Sequence, residues 1–104
     1  METTYNYKVF SGTAPDPAGG SYPSAAAWTG ITAYSFGTGT KIILVWVHDN
    51  KLVIRFSFVG DNYGDDIVLY DAPQAEPVYL AAQKFQVINQ TPGSAAQWQV
   101  MGQW

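Results

Sequence analysis

At 104 residues the chain has the size of one domain, and its 47% hydrophobic content suffices for a single core, which excludes a disordered chain despite 10 Gly and 6 Pro. Only 12% of the residues are charged, about half the usual share, so the surface is expected to be polar but mostly neutral. A net charge of -3 gives phosphate no basic footprint, and nucleic acid is excluded as an expected partner.

The absence of cysteine excludes a disulfide framework and a thiolate metal site and points to a reducing compartment. Met1 to Lys8 lack the basic start and apolar stretch of a signal peptide. The expected location is therefore cytoplasmic, and release by a route without a signal peptide would leave no mark. The longest apolar run, Ile42 to Val47, is far too short to span a bilayer, so no membrane insertion is expected.

In chain order, the first predicted strand is Thr4 to Ser11, rich in aromatic and β-branched residues. Ser11 to Thr29 follows as a long connection with Pro15, Pro17, Pro23, Gly12, Gly19 and Gly20. A connection of that length either crosses a sheet or serves a site. Tyr22 and Trp28 are its anchors; Trp28 reads as a plug over the core edge, with a sugar platform as the alternative. Ser24 ahead of Ala25, Ala26 and Ala27 gives the one helical hint, a turn or two at most.

The next strands are Ile31 to Phe36, Lys41 to His48 and Lys51 to Val59. Only Asp49 and Asn50 separate the last two, so a tight hairpin is expected, with Val47 facing Leu52, Val45 facing Ile54 and Ile43 facing Phe56. That register puts Ile43, Val45, Val47, Leu52, Ile54, Phe56 and Phe58 on a core face. Ile42, Leu44, Trp46, His48, Lys51, Val53, Arg55, Ser57 and Val59 fall on a partly covered face, with Trp46 opposite Val53. Ile67 to Tyr70, Lys84 to Gln90 and Ala96 to Met101 complete the strands. The echo of Phe85, Gln86, Val87 and Gln90 in Trp98, Gln99, Val100 and Gln103 reads as the two arms of one hairpin, with Pro92 and Gly93 at the centre of a type II turn. Trp104 is expected to be packed. With six to seven short strands and no helices between them, the fold class is all-β: antiparallel sheets in a sandwich or partly closed barrel, over a single domain of residues 1–104.

Catalytic equipment is sparse. His48 is the lone histidine, so any nucleophile-base pair must include it, and its neighbour Asp49 should point to the opposite face of a strand. Asp61, Asp65, Asp66, Asp71 and Glu76 are the candidate acids for glycoside hydrolysis, which needs two carboxyl groups at a set separation. No phosphate loop or nucleophile elbow occurs. No catalytic residue, metal ligand or cofactor is assigned. Asp61, Asn62, Asp65 and Asp66 are oxygen ligands close in sequence, which raises calcium as a further possibility, but Tyr63 and Gly64 break the EF-hand pattern.

The expected hairpin brings Gly37 to Thr40 beside Gly60 to Asp66 at one loop end. Thr38, Thr40, Asp61, Asn62, Tyr63 and Asp65 there form the candidate carbohydrate site: carboxylate, amide and hydroxyl groups match paired sugar hydroxyls, and an aromatic face suits the CH patch of the ring. The plain alternative is a strand connection. With 4 Trp and 7 Tyr, some aromatic rings should be exposed for stacking or for a subunit interface.

A cysteine-free, Trp- and Tyr-rich β chain of this kind, in Tyr5 to Thr13 and Ser21 to Trp46 above all, resembles the small cytoplasmic lectins of mushroom fruiting bodies, in particular the type that binds terminal α-galactosides. The resemblance implies a non-enzymatic binder of terminal sugars on glycans, commonly a homodimer, with a defensive role. It carries no motif that transfers binding residues. The dimer surface expected from the sequence is Trp46, Val53 and Leu44 with the strand ending at Trp104. The competing readings are an oligomerising coat or toxin component without sugar binding, and a small glycosidase.

Overall fold

The computed structural model describes residues 6–71, 76–78 and 80–104. The expected start of the first strand, at residues 4 and 5, and the side chain of Glu76 lie outside the described residues. Among the described residues nine strands form: β1 (Tyr7–Thr13), β2 (Tyr34–Ser35), β3 (Ile42–His48), β4 (Leu52–Val59), β5 (Asn62–Tyr63), β6 (Ile67–Leu69), β7 (Glu76–Val78), β8 (Lys84–Asn89) and β9 (Gln97–Gln103). The first sheet has the order β1-β9-β3-β7, and the second β2-β8-β4-β5, with β6 also on β4. Every pairing is antiparallel. The two sheets pack as a sandwich rather than a closed barrel, with Ile43, Val45, Val47, Leu52, Ile54, Phe56, Phe85, Val87, Trp98 and Val100 buried between them.

Two expected hairpins are instead arches that carry the chain from one sheet to the other. β3 pairs with β9 and β7, whereas β4 pairs with β8, β5 and β6, so the cross-strand pairs expected around Asp49 and Asn50 do not form. A two-residue type I′ hairpin turn needs positive φ at both central residues. Here Asp49 alone has it, at 77°, and the Asn50 amide donates back to the His48 carbonyl at 3.0 Å in a three-residue reversal. An arch and a hairpin share the same inward parity, which is why Ile43, Val45, Val47, Leu52, Ile54 and Phe56 are all core residues. Phe58 departs from the expectation: it borders a surface depression with Asp65 and Leu80 and is 44% exposed.

Correspondingly, the second expected face divides between opposite sides of the sandwich. Trp46 lies across from Gln99 rather than Val53, and Val53 is fully buried. β8 and β9 are likewise in different sheets, so Phe85 and Trp98 meet edge to face across the core, ring centroids 5.7 Å apart, rather than side by side. The turn between them does form, with Gly93 at φ 84° and the Ser94 amide bonded to the Thr91 carbonyl at 2.9 Å. A two-residue hairpin loop occurs at Gly60 and Asp61, where Val59 pairs with Asn62.

The long connection crosses the second sheet. Asn89 N–H donates to the Pro15 carbonyl at 2.9 Å, and Ala27, Tyr22, Trp28 and Ile31 then close over Val53, Ile88 and Val68. β4 and β8 are thereby covered on both faces, so burial runs through consecutive residues of each, with Arg55, Ser57, Gln86 and Asn89 as their polar members on the outer side or the strand end. Ser24 to Ala27 forms turns rather than a helix, and a 3-10 turn spans Ala18–Gly20. Trp104 is half-buried against the core, its amide bonded to the Asn6 carbonyl at 3.0 Å.

Candidate functional site

The six residues expected at one loop end take different environments. Thr40 is buried, and its hydroxyl donates to the Leu80 carbonyl at 2.6 Å, which ties the strand entry to the segment before β8. Thr38 is exposed. Asp61, on the tip of the β4–β5 hairpin, pairs with Lys84 at 3.2 Å and is 87% exposed at its side chain. Asn62 is exposed beside it. Asp65 borders a shallow depression with Phe56, Phe58, Ile67 and Leu80. Tyr63 turns to the outer face of the second sheet. β5 and β6 both run along β4, so the acidic stretch is a break in an edge strand rather than a loop gathered around a ligand. Among the described residues, no three His, Cys, Asp or Glu side chains cluster as metal ligands.

On that outer face Arg55 lies between two rings, its guanidinium carbon 4.4 Å from the Trp28 centroid and 4.3 Å from that of Tyr63. Its Nε and Nη2 donate to Gln86 Oε1 at 2.8 and 2.6 Å, and Gln86 Nε2 donates to the Ile31 carbonyl at 2.9 Å. Asp66 Oδ2 accepts from Tyr22 Oη at 2.9 Å and Trp28 Nε1 at 3.4 Å. Burial lowers the Arg55 pKa, opposed by the charges of Asp66 and Tyr63, and burial raises that of Tyr63. Among the described residues the Tyr63 hydroxyl is buried without a hydrogen-bond partner, whereas Arg55, Gln86, Asp66, Tyr22 and Trp28 bond to one another and to the crossing connection, so the cluster fastens that connection to the sheet. Trp28 is accordingly an anchor of the fold.

Among the described residues, the outer face of the first sheet has no such cover. Antiparallel register sets its side chains in four rows: Tyr7, Gln103 and Ile42; Val9, Met101, Leu44 and Pro77; Ser11, Gln99 and Trp46; Thr13, Gln97 and His48. Alternation explains the arrangement, since the intervening Phe10, Trp98, Val100, Ile43, Val45 and Val47 enter the core. The two polar rows line a 570 Å³ depression together with Gly12 and Trp98. Trp46 is its half-buried aromatic wall, surrounded by two amides and two hydroxyls. The Trp98 indole N–H is buried without a hydrogen-bond partner among the described residues.

His48 ends this face. Its Nδ1 lies 4.0 Å from Asp71 Oδ1, whereas Asp49 lines the depression beyond the arch, as does Asp71. Reasoning from the sequence placed Trp46 on a partly covered face but missed its neighbours Ser11, Thr13, Gln97 and Gln99. The alternating polar residues of the first and last strands were the available signal. Their meeting beside Trp46 depends on β9 entering between β1 and β3, a long-range pairing.

No protein-family model matches the chain, and no curated protein matches it. Among solved structures it is similar to the cobalt(II) form of HppE in complex with Tris buffer, with a TM-score of 0.52, 9% identity, and coverage of 96% of this chain and 45% of that one. The chain thus spans less than half of that structure, and at such identity the likeness shows the fold alone.

Proposed function

We propose that the protein binds carbohydrate, without turnover, through the open face of its first sheet. The observation that carries the reading is the row Ser11, Gln99 and Trp46, with Thr13, Gln97 and His48 beside it, around a 570 Å³ depression. An indole face accepts the apolar CH patch of a sugar ring, and carboxamides and hydroxyls match hydroxyl groups that donate and accept at once. The side chains named on this face carry no carboxylate, ammonium or guanidinium group, which favours a neutral sugar. The glycan ligand is a terminal sugar, with α-galactosides the first class to try in view of the resemblance to fungal fruiting-body lectins. This reading moves the proposed site from the loop end to the sheet face.

The same face supports self-association at its other end, where Tyr7 is 65% and Val9 43% exposed beside Leu44 and Met101. A homodimer through that apolar half leaves the Trp46 half free and presents two sites. The oligomerising interaction protein without sugar binding remains the second reading, favoured by these exposed apolar side chains.

A glycan array followed by calorimetric titration of the best binder, with and without calcium, tests the proposal. Binding that Trp46→Ala and Gln99→Ala each weaken about tenfold or more, with no release of reducing sugar, is the expected result. An array without binders, or affinity unchanged in both variants, overturns it.

A further inference from the structure

The first depression does not end the polar surface. Immediately past His48, the Asp49–Asn50 arch, the start of β4 and the end of β6 enclose a second depression of 350 Å³, lined by Asp49, Asn50, Lys51, Tyr70, Asp71, Thr91 and Ser94. The two adjoin at His48, which lines the first and whose Nδ1 lies 4.0 Å from Asp71 Oδ1 in the second. The second holds two carboxylates, an ammonium group, two hydroxyls and a tyrosine ring that is 61% exposed despite its size.

Some of these groups serve the fold. Asn50 Nδ2 donates to the Ala95 carbonyl at 3.0 Å and steadies the arch against the loop before β9, and Lys51 Nζ sits 4.9 Å from the Tyr70 ring centroid. Among the described residues, Asp49, Thr91 and Ser94 make no side-chain hydrogen bond, and Asp71 has only the long contact to His48. Carboxylates that accept from neighbouring hydroxyls, beside an aromatic ring, again suit a sugar. The Lys51 ammonium balances the two acids only in part, so the second depression does not favour a polyanionic ligand.

We infer that the second depression is a subsite continuous with the first, so that the ligand is an oligosaccharide whose terminal unit lies on Trp46 and whose following units pass His48 onto Tyr70 and Asp71. The inference rests on the proposed sugar-binding role of the Trp46 face. An extended ligand that engages both depressions gains affinity with length until the second is filled and no further.

The test uses oligosaccharide ladders of one to six units built from galactose, glucose, mannose, xylose and N-acetylglucosamine, titrated into the full-length protein. Affinity is expected to rise about tenfold or more between one unit and the length that fills both depressions, the gain of a few added hydrogen bonds. Tyr70→Ala and Asp71→Asn should each remove that gain while leaving affinity for the single sugar as it was, and Trp46→Ala should weaken every length. Binding that is independent of length, or a length dependence that survives both Tyr70→Ala and Asp71→Asn, overturns the second subsite and leaves the Trp46 site standing. Absence of binding at every length in all ladders overturns both.

Discussion

The Tyr22 hydroxyl donates to Asp66 Oδ2 at 2.9 Å, across 44 residues of chain, and so joins the long connection to the break in the edge strand of the second sheet. Burial, then the hydrogen bond and the charge of Asp66, push the Tyr22 pKa up to about 12 from an ordinary 10.0. A raised pKa means that the folded protein holds this proton longer than the unfolded chain does. The contribution is fully present below pH 10 and is lost as pH rises through about 12. Tyr22→Phe is expected to cost about 1 kcal/mol at neutral pH and to flatten part of the alkaline fall in melting temperature. An alkaline limb of unchanged steepness in the variant would show that other groups control it.

An opposite pH dependence comes from Asp16. Its Oδ1 accepts from the Gly93 amide at 2.9 Å and from Asn89 Nδ2 at 2.7 Å, which ties the start of the long connection to the turn between β8 and β9. The Gly93 amide first and the Asn89 side chain second lower its pKa below 3.8. Stability from this carboxylate is present above pH 3.8 and is lost as pH falls through the lowered value. Asp16→Asn should flatten the acid side of a stability–pH profile measured by urea denaturation, with the slope above pH 6 unaltered.

The core offers a sharp comparison of three consecutive residues. Phe56 is buried in the core, Ser57 is buried on the outer side with its hydroxyl donating to the Gly60 carbonyl at 2.8 Å, and Phe58 is exposed. Phe56→Ala should cost about 3–5 kcal/mol. Ser57→Ala should cost about 1 kcal/mol, and Phe58→Ala no more than about 0.5 kcal/mol. Chemical denaturation ranks them, and a Phe58 effect as large as that of Phe56 would contradict the placement.

These residues also show what was legible in the sequence. Strand alternation identified the inward side chains of β3 and β4, because parity is a local property that an arch and a hairpin share. Which strands pair is not local. Asp49–Asn50 resembles a hairpin turn, and only the insertion of β9 beside β3 reveals that the strands separate into two sheets. An arch, like a hairpin, keeps the start of β3 and the end of β4 at one end of the sandwich, but the commitments of the residues there were not legible: Thr40 is buried with its hydroxyl on the Leu80 carbonyl, and Asp61 pairs with Lys84. Trp46 was recognisable as an outward tryptophan, but its polar neighbours come from strands more than thirty residues away on either side.

The division of the open face into polar and apolar halves leads to the last prediction. Its dimer surface differs from the one expected at the sequence level. Val53 is buried beneath the crossing connection, and Trp104 is half-buried against its own core. Tyr7 and Val9 are exposed beside Leu44 and Met101, in the two rows farthest from His48. Two such halves placed across a two-fold axis are self-complementary without any new shape, and the low charge of the chain offers little repulsion. Light scattering at micromolar concentration should give about twice the 11.4 kDa chain mass. Val9→Lys should shift it toward one chain, because two ammonium groups brought together at the axis would lose their water, while single-sugar affinity at Trp46 stays as it was. Agglutination of glycan-coated beads should fall more steeply than that affinity, since avidity needs both sites on one particle. A wild-type mass of one chain across this concentration range would refute the dimer, and a Val9→Lys variant that remains dimeric would move the interface away from β1.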